Sequence, residues 1–225
     1  MLERWGVPVG AVPGFERLIT ALANEVDPPT TVRAPEAILA RHVADSLAGL
    51  EVDALSSAGT VADIGAGAGF PGLALALARP AAGPFDLVDS ARRKCEVIER
   101  LIAASGAANA RAVVSRAEDW GREQGGAYDA VTVRAVAALP VLCEYAAPLL
   151  RLGGALVAWK GTRDEGEERA GGLAAAELGL RPASVLSVHP FADAHSRHLH
   201  VYEKVAPTPE RFPRRAGMAA KRPLA

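Results

Sequence analysis

Cysteine is scarce: Cys95 and Cys143 are the only two in 225 residues. Both fall in apolar helical contexts with no histidine spaced to join them, so they read as reduced core thiols rather than a redox pair or metal ligands. No apolar run approaches the roughly 18 residues that a membrane helix needs, and the opening MLERWGVPVG lacks the basic region and apolar core of a signal peptide. A cytoplasmic protein is therefore expected. Net charge is nearly absent, at -1, so the chain is not a uniformly basic nucleic-acid binder. Lysine occurs four times, with arginine making up the remainder of the 25 basic residues, and that skew says nothing about nucleic acid. Internal repeats are also missing. What is present is a half-apolar composition, enough to bury the core of one ordinary domain with a small appendage.

The periodicity divides the chain into residues 1–50, an N-terminal helical appendage; 51–205, an alternating α/β domain; and 206–225, a basic tail. In the appendage, 13–25 reads as an amphipathic helix opened by Pro13, VDPPTTVRAP breaks it, and a second helix starts near Pro35 with Leu39, Val43 and Leu47 on one face. Strands are then expected at 60–64, 85–89, 111–114, 129–134, 155–159, 183–188 and 198–204, with helices at 71–79, 91–104, 117–121, 138–150 and 163–178. Such alternation predicts a seven-stranded, mostly parallel sheet covered on both faces. Only the nine residues from His189 to Arg197 separate the last two strands, too few for a helical crossover, so the last strand should run antiparallel. The arginine-rich end TPERFPRRAGMAAKRPLA is expected to be extended.

The stretch TVADIGAGAGFPG, 60–72, organises the rest. A short buried strand runs into glycines that permit a tight turn and close backbone approach, and Pro71 stands where a helix begins. This is a nucleotide-cofactor loop, readable in two ways. Asp63 followed by Gly65-x-Gly67-x-Gly69 is the form common in S-adenosylmethionine-binding methyltransferases, whereas Gly67-x-Gly69-x-x-Gly72 is the dinucleotide fingerprint of a nicotinamide-dependent oxidoreductase. An antiparallel last strand favours the methyltransferase. Asp89, at the end of the second strand, suits the ribose hydroxyls of either cofactor, and Glu118 beside Ala117 suits an adenine amino group. Arg134 ends the fourth strand, where burial requires a carboxylate or a ligand as partner. Its surroundings, TVRAVAALP, lack the Asn/Asp-Pro-Pro-aromatic element used on exocyclic amines, and Cys143 lacks the Pro-Cys context of a 5-methylcytosine nucleophile.

Taken in succession, RHVADSL (41–47), DIGAGAGFPG (63–72), LVDSARRK (87–94), SRAED (115–119), VRAVA (133–137), WKG (159–161) and FPRRAG (212–217) resemble the bacterial small-subunit (16S) ribosomal RNA guanine-N7 methyltransferase family, also called glucose-inhibited division protein B. The resemblance implies a Rossmann-like methyltransferase fold, S-adenosylmethionine as methyl donor and a guanine N7 of 16S RNA, alone or in the small subunit, as acceptor. It implies cofactor contacts from Gly65, Phe70, Ala117, Glu118 and Arg134, to which the loop reading adds Asp63, Gly67, Gly69 and Asp89. VDPPTTVRAP departs from the family's Trp-Asn and Asn-Leu-Thr segment. Guanine N7 carries a free lone pair and no proton, so alignment matters more than a base and no catalytic side chain is assigned. Candidate RNA contacts are Arg41, His42, Lys94, Lys160 and Arg197, together with Arg92, Arg93 and the tail; Arg41 and Asp45, four apart on one helix, can alternatively pair with each other. A monomer is expected. His189, His195, His198 and His200 cluster without the cysteine or acidic residues that would complete a metal site.

Overall fold

The computed structural model describes residues 2–225. Seven strands form one sheet: β1 (Val61–Ile64), β2 (Phe85–Asp89), β3 (Ala110–Val114), β4 (Tyr128–Arg134), β5 (Leu150–Lys160), β6 (Leu180–Ser187) and β7 (His198–Lys204), in the order β3-β2-β1-β4-β5-β7-β6. The first five pair in parallel, and β7 enters antiparallel between β5 and β6. The expected architecture is thus observed, and the order reverses between β1 and β4, where open α/β sheets bind ligands. β1, β2 and β4 are almost wholly buried because helices cover both their faces.

Among the described residues, ten α-helices surround the sheet: α1 (Val12–Asn24), α2 (Pro35–Ile38), α3 (Asp45–Leu47), α4 (Asp53–Ser56), α5 (Gly72–Ala78), α6 (Arg92–Ser105), α7 (Ala117–Glu123), α8 (Leu139–Ala146), α9 (Glu165–Glu177) and α10 (Met218–Lys221). Phe15, Leu18 and Leu22 repeat at helical spacing on α1, and all three are buried in one cluster with Leu73 and Leu77 of α5 and Ile98 and Leu101 of α6. Arg17 secures this contact by donating to the Ala104 and Ser105 carbonyls at the end of α6. The N-terminal helices therefore share the core that covers one face of the sheet.

Three stretches differ from the sequence reading. The helix expected at 138–150 stops at Ala146, since Pro148 cannot continue it, and β5 begins at Leu150 instead of 155, joined to β4 through a register break between Tyr128 and Ala130. The helix expected from Pro35 contains a π-helical stretch, Leu39–Ala44, between α2 and α3; the wider turn still buries Val43 and Leu47. The tail is not extended. Phe212 is buried in the cluster beneath α7 and α8, and α10 packs on α8.

Candidate active site

The glycine loop is held from beneath. Asp63, fully buried, accepts from the Gly72 N–H and from Thr132 Oγ1, each at 2.9 Å. Burial pushes its carboxyl up to about 6, against those two hydrogen bonds. The loop pattern suggests a cofactor contact for Asp63, but its carboxylate instead fastens the start of α5 to β4, and the Gly72 N–H is likewise engaged by protein. Above it, Gly65 has φ +71°, and a side chain there would meet Val136 Cγ2 at 2.5 Å, so only glycine lets the loop lie against that residue. Gly67 and Gly69 also have positive φ. The Gly67 N–H donates to Asp89 Oδ2 at 3.1 Å.

A cavity of about 300 Å3 opens at the ends of β1, β2 and β4, lined by Gly65, Asp89, Lys94, Ala117, Glu118 and Tyr145 among others. Asp89 is nearly buried; Oδ1 accepts from the Ala91 N–H, while Oδ2 takes the Gly67 N–H and lies 3.4 Å from Lys94 Nζ. A carboxylate offers about four lone-pair sites, so capacity remains for a diol. Lys94, a candidate RNA contact in the sequence, lines this cavity. Glu118, also buried, accepts from the Gly217 N–H at 2.7 Å. The tail thus reaches the cavity wall, held there by Arg122, which donates to the Pro213 and Arg214 carbonyls, and by Arg214, whose guanidinium grips Glu144. Asp89 and Glu118 thus place two carboxylates on the wall of this cavity, beside the backbone of Gly65.

A second cavity, about 470 Å3, lies beside the first, and Ala135 lines both. Ala135 has φ +57°, a conformation costing a non-glycine residue on the order of 1–2 kcal/mol. That strain is stored where β4 ends between the two cavities. The second cavity is ringed by Arg41, His42, Arg134, Lys160 and Arg197 around one carboxylate, Asp45. Arg134 Nη1 donates to Asp45 Oδ2 at 2.9 Å and to the Arg41 carbonyl. Arg134 therefore meets a carboxylate, and the Arg41–Asp45 pairing considered from spacing is replaced by Arg134–Asp45. Lys160 is tied to Glu167 and the Ala137 carbonyl.

His42 stacks on buried Phe70, ring centres 4.9 Å apart, and its Nδ1 lies 3.2 Å from Arg134 Nη2. Burial first, and then the Arg134 guanidinium, hold its pKa down at about 4, so the ring is neutral at pH 7. Because Arg134 can only donate, Nδ1 accepts and Nε2–H donates to Thr30 Oγ1 at 2.9 Å. Phe70 and His42 thus set the orientation of Arg134; neither lines the first cavity, so Phe70 makes no direct wall for a cofactor there, and His42 lines the second. Elsewhere, His198 bonds the Gly161 carbonyl, His200 lies 3.9 Å from Glu168, and no group of three metal-ligating side chains occurs among the described residues.

Sequence reasoning gave no site role to Asp45, Tyr145 or Trp159, all of which line one of the two cavities. Trp159 Nε1 donates to the Asp45 carbonyl at 2.8 Å, with its ring seated where Gly49 has no side chain. RHVADSL contains Asp45 and WKG contains Trp159, yet only the fold brings the two together, while Tyr145 lies in neither motif.

A family model described as rRNA small subunit methyltransferase G (GidB) matches residues 16–199. Ribosomal RNA small subunit methyltransferase G of Rubrobacter xylanophilus is 44% identical over 197 residues, covering 85% of this chain and 75% of that protein. The protein of the same name from Chloroflexus aggregans is 38% identical over 226 residues, covering 98% of this chain and 94% of its own length. Among solved structures, the 16S rRNA (adenine(1408)-N(1))-methyltransferase of Catenulisporales acidiphilia, determined with S-adenosylmethionine as cosubstrate, shares the fold: TM-score 0.52, 23% identity, covering 69% of this chain and 90% of that one.

Proposed function

Because the chain belongs to the rRNA small subunit methyltransferase G family, we propose that it transfers a methyl group from S-adenosylmethionine to N7 of a guanine in 16S ribosomal RNA, alone or within the small subunit. The observation that carries this reading is the pair of adjoining cavities: one walled by Asp89, Glu118 and glycine backbone, the other ringed by arginine and lysine, with Ala135 between them. S-Adenosylmethionine, when bound, supplies an electrophilic sulfonium methyl. Asp89 would accept from the ribose hydroxyls, Glu118 would accept from the adenine amino group, and Ala117 and Gly65 would cover the ring and the chain. Phe70 and Arg134 act from behind the cavity, and Asp63, Gly67 and Gly69 hold the loop in shape.

Arg134 would repel a sulfonium if its charge were free. Asp45 offsets it at 2.9 Å, so the guanidinium serves as a hydrogen-bond donor beside the acceptor base with its repulsion reduced. No side chain needs to remove a proton, because N7 is unprotonated; the protein contributes alignment of base and methyl and a cleft that excludes water. Arg41, Lys160 and Arg197 stand at the rim for RNA phosphates, which supply affinity without sequence information. A ribosomal substrate would be met in the cytoplasm. The nicotinamide alternative has no support from the family or from the antiparallel β7.

Calorimetric titration with S-adenosylhomocysteine, NAD and NADP, followed by mapping of N7-methylguanine on small-subunit RNA treated with the protein and S-adenosylmethionine, tests the proposal. Binding of S-adenosylhomocysteine alone and one new N7-methylguanine are expected. Preference for a nicotinamide nucleotide, or methylation at another atom, would overturn it.

A further inference from the structure

The second cavity contains one polar atom that the protein leaves unsatisfied. The Asp45 side chain is 5% exposed; Oδ2 takes the hydrogen bond from Arg134, but Oδ1 has no hydrogen-bond partner. Arg197 Nε stands 3.3 Å from Oδ1 as a charge contact without hydrogen-bond geometry. A buried carboxylate oxygen left in this state is costly. Its position is nevertheless fixed, since Trp159 pins the Asp45 carbonyl and the π-helical stretch before α3 sets the turn that presents the side chain. The oxygen is held ready for a donor that the protein itself does not supply.

The geometry points to Asp45 as the residue that selects guanine, its free oxygen accepting the N1–H and 2-amino hydrogens of the base whose N7 faces the methyl donor. This rests on the methyl-transfer reading above and adds to it the determinant of base choice. Arg134 and Asp45 present a donor next to an acceptor. Guanine offers the complement, O6 as acceptor next to N1–H as donor, whereas adenine offers the reverse, an amino donor next to an unprotonated N1. Adenine also has an N7 lone pair, so N7 chemistry alone cannot choose between the two bases. A carboxylate against the Watson–Crick edge can. Arg197, with its side chain 43% exposed on the β6–β7 connection, covers Oδ1 in the free protein and is free to turn to a backbone phosphate when the base enters.

The test is methylation of small-subunit RNA carrying guanine, or a single inosine, at the methylated position. Inosine keeps N7, O6 and N1–H and lacks only the 2-amino group. For the unaltered protein, inosine should lower kcat/KM by roughly tenfold, the usual worth of one charge-assisted hydrogen bond. In Asp45→Asn the carboxamide is a weaker acceptor whose amino group can face the base, and the guanine-to-inosine ratio should fall to about one to two. S-Adenosylhomocysteine affinity, read separately, should change by less than about twofold, because Asp45 does not line the cofactor cavity. Equal rates on guanine and inosine RNA with the unaltered protein would overturn the assignment whether or not the variant folds. So would a tenfold preference that persists in Asp45→Asn while overall activity drops, the signature of an ion pair that only holds Arg134 in place. Absence of N7-methylguanine from the unaltered protein on guanine RNA would instead remove the methyl-transfer reading, and this assignment with it.

Discussion

Arg214→Ala should destabilise the protein through a residue that looks in the sequence like part of a basic tail. Glu144 on α8 is 1% exposed, and its carboxylate is bonded only by Arg214: by the backbone N–H at 3.4 Å, by Nε at 2.8 Å and by Nη2 at 2.5 Å. Removing the guanidinium leaves a buried carboxylate with one long backbone contact. Stripping a buried ion of its partner costs about 3–5 kcal/mol; the Arg214 side chain is 24% exposed, so the lower end, about 3 kcal/mol, applies. For a chain of this size that is a fall in Tm of about 6–12 °C. Urea denaturation and calorimetry at pH 7.5 measure it, and the double variant Glu144→Gln/Arg214→Ala should recover more than half of the loss, since neutralising Glu144 removes the stranded charge. A loss below about 1 kcal/mol, or the same loss in both backgrounds, would refute the argument that Glu144 depends on the tail.

Gly67→Ala should fold, at a cost of about 1–2 kcal/mol for φ +60° with nothing nearer to the new methyl than the Gly65 carbonyl at 3.8 Å, while weakening S-adenosylhomocysteine by at least about tenfold; unchanged affinity in calorimetry counts against the loop's assignment. Gly72→Ala should instead damage the fold, because its methyl would lie 2.0 Å from Leu87 Cδ2 and 2.8 Å from Asp63 Cβ, and a normal thermal melt would contradict that packing. Deleting residues 207–225 should lower both thermal stability and S-adenosylhomocysteine affinity, through Phe212, Arg214 and the Gly217–Glu118 bond; loss of RNA binding alone would make the tail an RNA arm. His42 titrates near 4 when folded and near 6.5 when unfolded, so its contribution, about 3 kcal/mol, is complete above pH 6.5 and lost as pH falls towards 4. Asp63, raised to about 6, opposes it by binding a proton in the folded state between 3.8 and 6; the stability gap between the unaltered protein and His42→Gln should therefore widen from pH 4.5 to 7, and a gap independent of pH would refute the neutral ring.

The sheet was legible because β1 and β2 are short stretches rich in aliphatic residues and bounded by glycine or proline, and the antiparallel run of β7 followed from a connection too short to cross over. Asp89 and Glu118 were legible because a strand end followed by an acidic residue recurs at the same edge of the sheet. Arg134 was recognised as needing a partner, but the partner, Asp45, was attributed to Arg41 because spacing within a helix is visible in a sequence and a contact across 89 residues is not. The tail failed for the same reason. FPRRAG reads as charge and glycine; its meaning lies in Glu118 and Glu144, which accept from it at separations of 99 and 70 residues. Pro148 was available to end α8 and was outweighed by the apolar run around it.

The contacts that sequence could not show have one physical effect in common. A methyl transfer to an unprotonated nitrogen requires little from side-chain acids and bases, so the chain's charges must be kept from interfering with a cationic donor while still holding two large ligands in line. Arg134 is balanced by Asp45, Lys160 by Glu167 and Arg214 by Glu144, and His42 is kept neutral beside them. Each pairing converts a cation near the site into a fixed donor of known direction. The strained Ala135 turns the end of β4 so that both cavities share one wall, and the tail closes the far side by bonding Glu118. Alignment is thus built from groups drawn from the first 45 residues, the sheet and the last 12, all of which must be folded before the two cavities adjoin.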